Sequence, residues 1–120
     1  SKSDIVSIHV HVNEETIELI NESSLKHAKK DVLIINTSRG EVINETDAVD
    51  FLKSNTKAKI ASDVLTDEIN NRLKSALYKY SIGNSQVTLT PHIGGMTKDA
   101  QEIAYNHAAN LLGKYFNTKN

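Results

Sequence analysis

Apolar residues along this chain come in short runs whose spacing changes between two and three-to-four. Residues 4–10, Asp4-Ile5-Val6-Ser7-Ile8-His9-Val10, are rich in β-branched side chains and too short for a stable helix, which predicts a strand. Residues 31–36, Asp31-Val32-Leu33-Ile34-Ile35-Asn36, are apolar on both pleat faces, the pattern of a strand inside a parallel sheet. A third strand is predicted over 58–64. A fourth, over 86–90, turns Val87 and Leu89 inward and Thr88 and Thr90 outward, as an edge strand does, and Pro91 ends it.

Between the strands the pattern changes to that of helices. Residues 14–30 hold helix formers interrupted by Asn21 and Ser23, predicting two short helical pieces with a cap between them. Asn44 caps a helix over 45–54, whose apolar face is Ala48, Val49, Phe51 and Leu52. Residues 66–71 are polar and turn-like, 72–80 form a weak helix, and 81–85 are punctuated as a loop. The last segment places Ala100, Ile103, Ala104, Ala108, Leu111, Leu112 and Tyr115 at helical spacing behind Thr97 as cap, with a polar fray over 117–120. Met96, His107 and Tyr115 are expected to be packing residues.

Four strand-then-helix units describe an α/β fold with a parallel sheet and right-handed crossovers. Sequential strand order would put every connecting helix on one face, yet the first two strands are apolar on both. Either the order doubles back or a covering layer lies outside these residues.

Composition narrows the class. The 120 residues include no cysteine, no tryptophan, one proline and five glycines, which excludes a disulfide scaffold and fits one small domain. The longest unbroken apolar run is Val32 to Ile35, against the roughly 20 residues that cross a bilayer, so no membrane partner is expected. With no thiols to oxidise and no apolar leader, the expected location is cytoplasmic. A formal net charge of −1 leaves no bulk field to gather phosphate backbones, so no nucleic acid is expected either. The basic cluster Lys26-His27-Ala28-Lys29-Lys30 is read as a solvated helix end.

Ligands of open α/β sheets bind beyond the carboxyl ends of the strands, so the residues that follow each strand carry the chemistry. These are His9 and His11, then Thr37-Ser38-Arg39-Gly40, then Asp63 and Glu68, then Pro91-His92-Ile93-Gly94-Gly95. Arg39 offers a planar fork that grips a carboxylate bidentately and polarises a neighbouring carbonyl. His92 can carry the proton that a developing alkoxide needs, and Glu68, meeting its far ring nitrogen, would fix the tautomer. Together they suit reduction of a 2-oxo acid, the hydride coming from a cofactor because no side chain donates one. Each residue also has a plainer reading: a surface arginine, a turn histidine, a solvated glutamate. His9 and His11, two apart on a strand, lack a third ligand, and no metal is expected.

Asn36-Thr37-Ser38-Arg39-Gly40, Asp63-Val64 with Glu68, and Thr90-Pro91-His92-Ile93-Gly94-Gly95 resemble the NAD-dependent D-isomer-specific 2-hydroxyacid dehydrogenases, a family that includes phosphoglycerate dehydrogenase. The resemblance implies that Arg39 binds the substrate carboxylate and carbonyl, that His92 is the general acid/base and that Glu68 is its partner. It further implies NAD as cofactor, with Asp63 on the nicotinamide carboxamide and His9, Thr37, Ser38 and Gly94 lining the cofactor's side. The sequence departs from the family in reading His9-Val10-His11 where His-Val-Pro is usual, and Ile69 where proline often follows the glutamate. The glycines stand at 40, 83, 94, 95 and 113, so no G-x-G-x-x-G is present to hold a pyrophosphate.

We therefore expect residues 1–120 to be the C-terminal half of a Rossmann-type NAD-binding domain with the helix that follows it. The glycine-fingerprint half and the substrate domain would lie outside this chain. The expected partners are a small 2-oxo or 2-hydroxy acid and, in the full-length protein, a second copy as homodimer. The alternative is a non-catalytic interaction module on the same fold, as in the family's corepressor relatives. A phospho-accepting receiver domain, also near this length, would need an acidic pair after the first strand, where histidines stand.

Overall fold

The computed structural model describes residues 2–117. Four strands, β1 (Ile5–Ile8), β2 (Leu33–Asn36), β3 (Lys59–Ser62) and β4 (Val87–Leu89), form one sheet in the order β1-β2-β3-β4, every pair parallel. The register sets Ile8 beside Asn36 and Asn36 beside Ser62, so the strands end level along one edge. That edge carries every candidate site residue.

Of the two helical pieces predicted over 14–30 only the second forms, residues 14–18 being turns, while the predicted caps at Asn21, Asn44 and Thr97 hold. Asn21 opens α1 (Glu22–Leu25) with a reciprocal capping box to Ser24, and Asn44 opens α2 (Glu45–Ser54) by accepting the Asp47 N–H at 3.1 Å. The segment expected to be a turn contains the single helical turn α3 (Glu68–Asn71), entered through Asp67 at φ 49°. The weak helix expected over 72–80 is interrupted at Ser75: a 3₁₀ turn over Arg72–Lys74 is followed by α4 (Ala76–Ser81), whose cap Ser75 accepts the Tyr78 N–H at 3.0 Å. Thr97 caps α5 (Lys98–Asn117) through the Ala100 N–H. Asn117 is thus helical rather than frayed, and 118–120 lie outside the described residues.

One core holds these elements together. Ile8, Ile34, Ile60 and Val87 of the sheet pack with Leu25 of α1, Ala48, Val49 and Leu52 of α2, and Leu77 of α4. Because strand order is sequential, those helices share one face, and neighbours α1 with α2 and α2 with α4 touch. The strand order does not double back. The opposite face, with Leu33 and Ile35 half-buried and Ile5 59% exposed, has no helix layer among the described residues. Of the two ways to cover two-faced strands, a strand order that doubles back is thus not the one used here.

α5 corrects another expectation. It has no buried residue, and Met96, His107 and Tyr115, expected to pack, are exposed. Helical spacing reports which positions can share a stripe, not whether a partner covers it.

Candidate active site

Arg39 is delivered by a turn built on Asn36. The Asn36 side chain is fully buried and satisfied: its Nδ2 donates to the Arg39 carbonyl at 2.9 Å, and its Oδ1 accepts from the Ser38 N–H and hydroxyl, each at 3.0 Å. This Asx turn reverses the chain directly after β2. Gly40 then packs against the Leu65–Thr66 peptide so closely that a Cβ would lie 2.0 Å from the Leu65 carbonyl carbon. Only glycine allows the second and third rim segments to touch there. The exposed Arg39 guanidinium donates to the Ser38 carbonyl at 2.7 Å and lines a cleft of about 310 Å³ with Leu65 and Glu68.

Glu68 joins two clefts. One oxygen accepts the Leu65 N–H at 3.1 Å, and the other contacts His92 Nδ1. Glu68, His92, Thr90 and Arg72 line a second cleft of about 190 Å³. With Nδ1 on the carboxylate, Nε2 is the nitrogen left to exchange protons, the division of labour a general acid/base needs. The imidazole side chain is 46% exposed and the carboxylate 25%, so the pair is open to a ligand.

Asp63 builds the loop that carries His92. Its Oδ1 takes the Thr90 hydroxyl and the Ile93 N–H (3.0 Å), and its Oδ2 takes the Gly94 N–H at 2.8 Å. Burial alone would raise its pKa; the Thr90 hydroxyl, the Gly94 and Ile93 amides and the nearby His92 ring outweigh it, and the net shift is downward. The loop bends at His92 itself, whose φ of 57° is left-handed. A Cβ on Gly94 would sit 3.1 Å from Asp63 Oδ2, tighter than most contacts.

The remaining residues named from sequence are more loosely placed. Thr37 is exposed and Ser38 half-buried on the Asn36 turn. His9 is exposed, with Nε2 2.7 Å from the Ser7 hydroxyl. Because β1 ends at Ile8, His9 and His11 stand in the loop beyond it, not on one strand face as expected. Asn36 and Glu45, which shape the rim from below, carried no assignment in the sequence reading. Their signal is a polar residue at a position the fold buries, visible only once burial is known.

Residues 1–94 match the family model described as D-isomer specific 2-hydroxyacid dehydrogenase, NAD binding domain. The chain belongs to this family. It is 37% identical over 114 residues to glycerate dehydrogenase of Cucumis sativus, covering 94% of this chain and 28% of that protein. It is 41% identical over 112 residues to glyoxylate reductase of Thermofilum pendens, covering 92% and 32%. Among solved structures, the NAD-complexed D-isomer specific 2-hydroxyacid dehydrogenase of Lactobacillus delbrueckii ssp. bulgaricus superposes with a TM-score of 0.75 at 25% identity, covering 93% of this chain and 38% of that one. The chain thus spans about a third or less of the curated relatives it matches.

The donor set can be tested against the dinucleotide that the family model implies. Three donors occupy three of the roughly four lone-pair sites of the Asp63 carboxylate, leaving Oδ2 able to accept one more, as an amide N–H would require. The donor set of Asp63 is thus compatible with one further amide donor. No glycine cradle exists in this segment for the pyrophosphate. Among the described residues no helix is long and apolar enough to cross a membrane.

Proposed function

We propose that this chain is the catalytic rim of an oxidoreductase that transfers a hydride between NAD(H) and a D-2-hydroxy acid or its 2-oxo acid. It would be the C-terminal half of the cofactor domain, working with a glycine-fingerprint half and a substrate domain. The observation that carries the reading is the contact of Glu68 with His92 Nδ1, one cleft away from Arg39.

NAD, when bound, supplies or accepts the hydride. Everything else falls to side chains. Arg39 leaves the Ser38 carbonyl to grip the substrate carboxylate with one edge of its fork and the 2-oxo oxygen with the other. The developing negative charge on that oxygen is met by the guanidinium and by the Nε2 proton of His92. Glu68 holds Nδ1 and so fixes Nε2 as the nitrogen that faces the substrate. Asp63 keeps the His92 loop in place and offers its free Oδ2 position to the carboxamide, while Thr37, Ser38, Gly94 and the backbone near His9 line the cofactor's side. Oxidation of the hydroxy acid runs these steps in reverse. Cytoplasmic location and homodimerisation of the whole protein belong to the same proposal.

The test joins this segment to its complementary half and substrate domain and follows NADH oxidation driven by 2-oxo acids. His92→Ala should reduce kcat/KM by about 10²- to 10⁴-fold, the range of a lost general acid. Arg39→Lys should raise KM as well, since an ammonium cannot reproduce a bidentate fork. Equal rates for His92→Ala and the parent would end the catalytic reading in favour of an interaction module. The 120-residue chain by itself should bind NADH more weakly than low-micromolar, because the pyrophosphate cradle is not in it.

A further inference from the structure

Glu45 is a buried carboxylate that the proposed chemistry does not use. It opens α2, is 9% exposed, and forms no ion pair among the described residues. An acid in a first helical turn usually faces its own helix's free N–H groups. This one reaches elsewhere. Its Oε1 accepts the Thr66 N–H at 3.0 Å, 21 residues away, and its Oε2 accepts the Leu77 N–H at 3.4 Å in the first turn of α4.

The Thr66 amide belongs to a short stretch of backbone, from the Leu65 nitrogen to the Thr66 nitrogen, with three constraints. Gly40 presses on the Leu65–Thr66 linkage from the Arg39 side, with no room for a Cβ. The adjacent Leu65 N–H donates to Glu68 Oε2, whose other oxygen meets His92. Glu45 holds the peptide from beneath. We infer that Glu45 is a positioning residue: through the Leu65–Thr66 peptide it sets the place of Glu68, and through Glu68 the orientation of the His92 ring. Charge makes it suited to the task, since a buried carboxylate accepts amide hydrogen bonds about twice as strongly as a neutral oxygen. This inference rests on the proposed function only for its consequence on turnover; the positioning itself is a property of the folded chain.

The experiment uses the ¹⁵N-labelled 120-residue chain, reading the His92 ring nitrogens and amide hydrogen exchange by NMR. Glu68→Gln defines the ring signal without its carboxylate. Glu45→Ala should speed exchange at Thr66 about tenfold, the loss of one charge-assisted hydrogen bond. It should also move the His92 Nδ1 resonance toward its Glu68→Gln position. Glu45→Gln, which keeps one acceptor oxygen, should move it in the same direction by less, and it carries the test if Glu45→Ala does not fold. Leu52→Ala, a core cavity at the other end of α2 from Glu45, should leave the ring signal in place. A ring that stays put while Thr66 exchange accelerates, or one that Leu52→Ala moves as far as Glu45→Ala, overturns the inference. A ring that moves as stated, in a full-length enzyme whose turnover is unchanged, counts instead against His92 as the acid/base.

Discussion

Substituting Gly40 by alanine isolates the contact between the Arg39 turn and the Leu65–Thr66 peptide. The backbone of Gly40 does not require positive φ, so alanine brings no conformational strain of its own. What it brings is a methyl group 2.0 Å from the Leu65 carbonyl carbon and 2.3 Å from both the Leu65 oxygen and the Thr66 nitrogen. Ordinary van der Waals contact begins at 3.4 Å, so the two segments must separate by about 1.4 Å. Overpacking usually costs about 1–3 kcal/mol, and neighbours that can rotate away keep it low. Here the neighbours are backbone atoms tied by Glu45 and Glu68, which puts the expected loss at the upper end, about 3 kcal/mol. Urea unfolding followed by far-ultraviolet circular dichroism should show the midpoint falling by about 2 M for a typical slope of about 1.5 kcal/mol/M. Gly95→Ala is the matched control, since nothing lies within 4 Å of its new methyl, and it should stay within about 0.5 kcal/mol of the parent. If the two variants unfold at the same urea concentration, the tight seam between the rim segments does not exist in solution. In the assembled enzyme, Gly40→Ala should also raise KM for the 2-oxo acid, because Arg39 moves with the seam.

Further outcomes follow from the same structure. Asp63 has a lowered pKa in the fold, so it contributes stability above the ordinary carboxylate pKa and loses it as pH falls through the folded value. Asp63→Asn should therefore cost about 1.5–3 kcal/mol at neutral pH, through the lost Gly94 bond and weakened Thr90 and Ile93 bonds, with the gap to the parent narrowing as pH falls below the ordinary carboxylate range. A gap that is constant from neutral to acid would contradict this account of Asp63. Leu52→Ala removes a fully buried side chain of the helical layer and should destabilise by about 2–5 kcal/mol in the same urea assay. Gly83, at φ 78° with open space around it, should lose about 1 kcal/mol on mutation to alanine, from backbone strain alone.

Much of the fold was legible because its signals are local. An asparagine before a run of helix formers caps it wherever the helix packs, so Asn21 and Asn44 marked α1 and α2. The two-faced strand around Ile34 announced a parallel sheet, and the motifs on the rim resembled those of the family to which the chain belongs. The short helix α3 was missed because the Asp67-Glu68-Ile69-Asn70 stretch has weak intrinsic preference; Asp67 enters it through a left-handed turn and receives the side-chain amides of Asn70 and Asn71. The break at Ser75 was missed because a cap inside a helical stretch looks like an ordinary polar residue.

The sequence by itself determined which chemistry this chain can support: a guanidinium, a carboxylate and an imidazole, each stationed just past a strand. Only the tertiary structure decided how they are held, because Glu45 acts through partners distant in sequence, Gly40 through space that backbone alone can occupy, and Asn36 from a position that only the packed sheet buries. It also decided that the helical layer covers a single face, a consequence of sequential strand order that no residue in any one strand encodes. Local preference is written residue by residue, whereas a shared peptide such as Leu65–Thr66 exists as a contact point only after the segments around it have met.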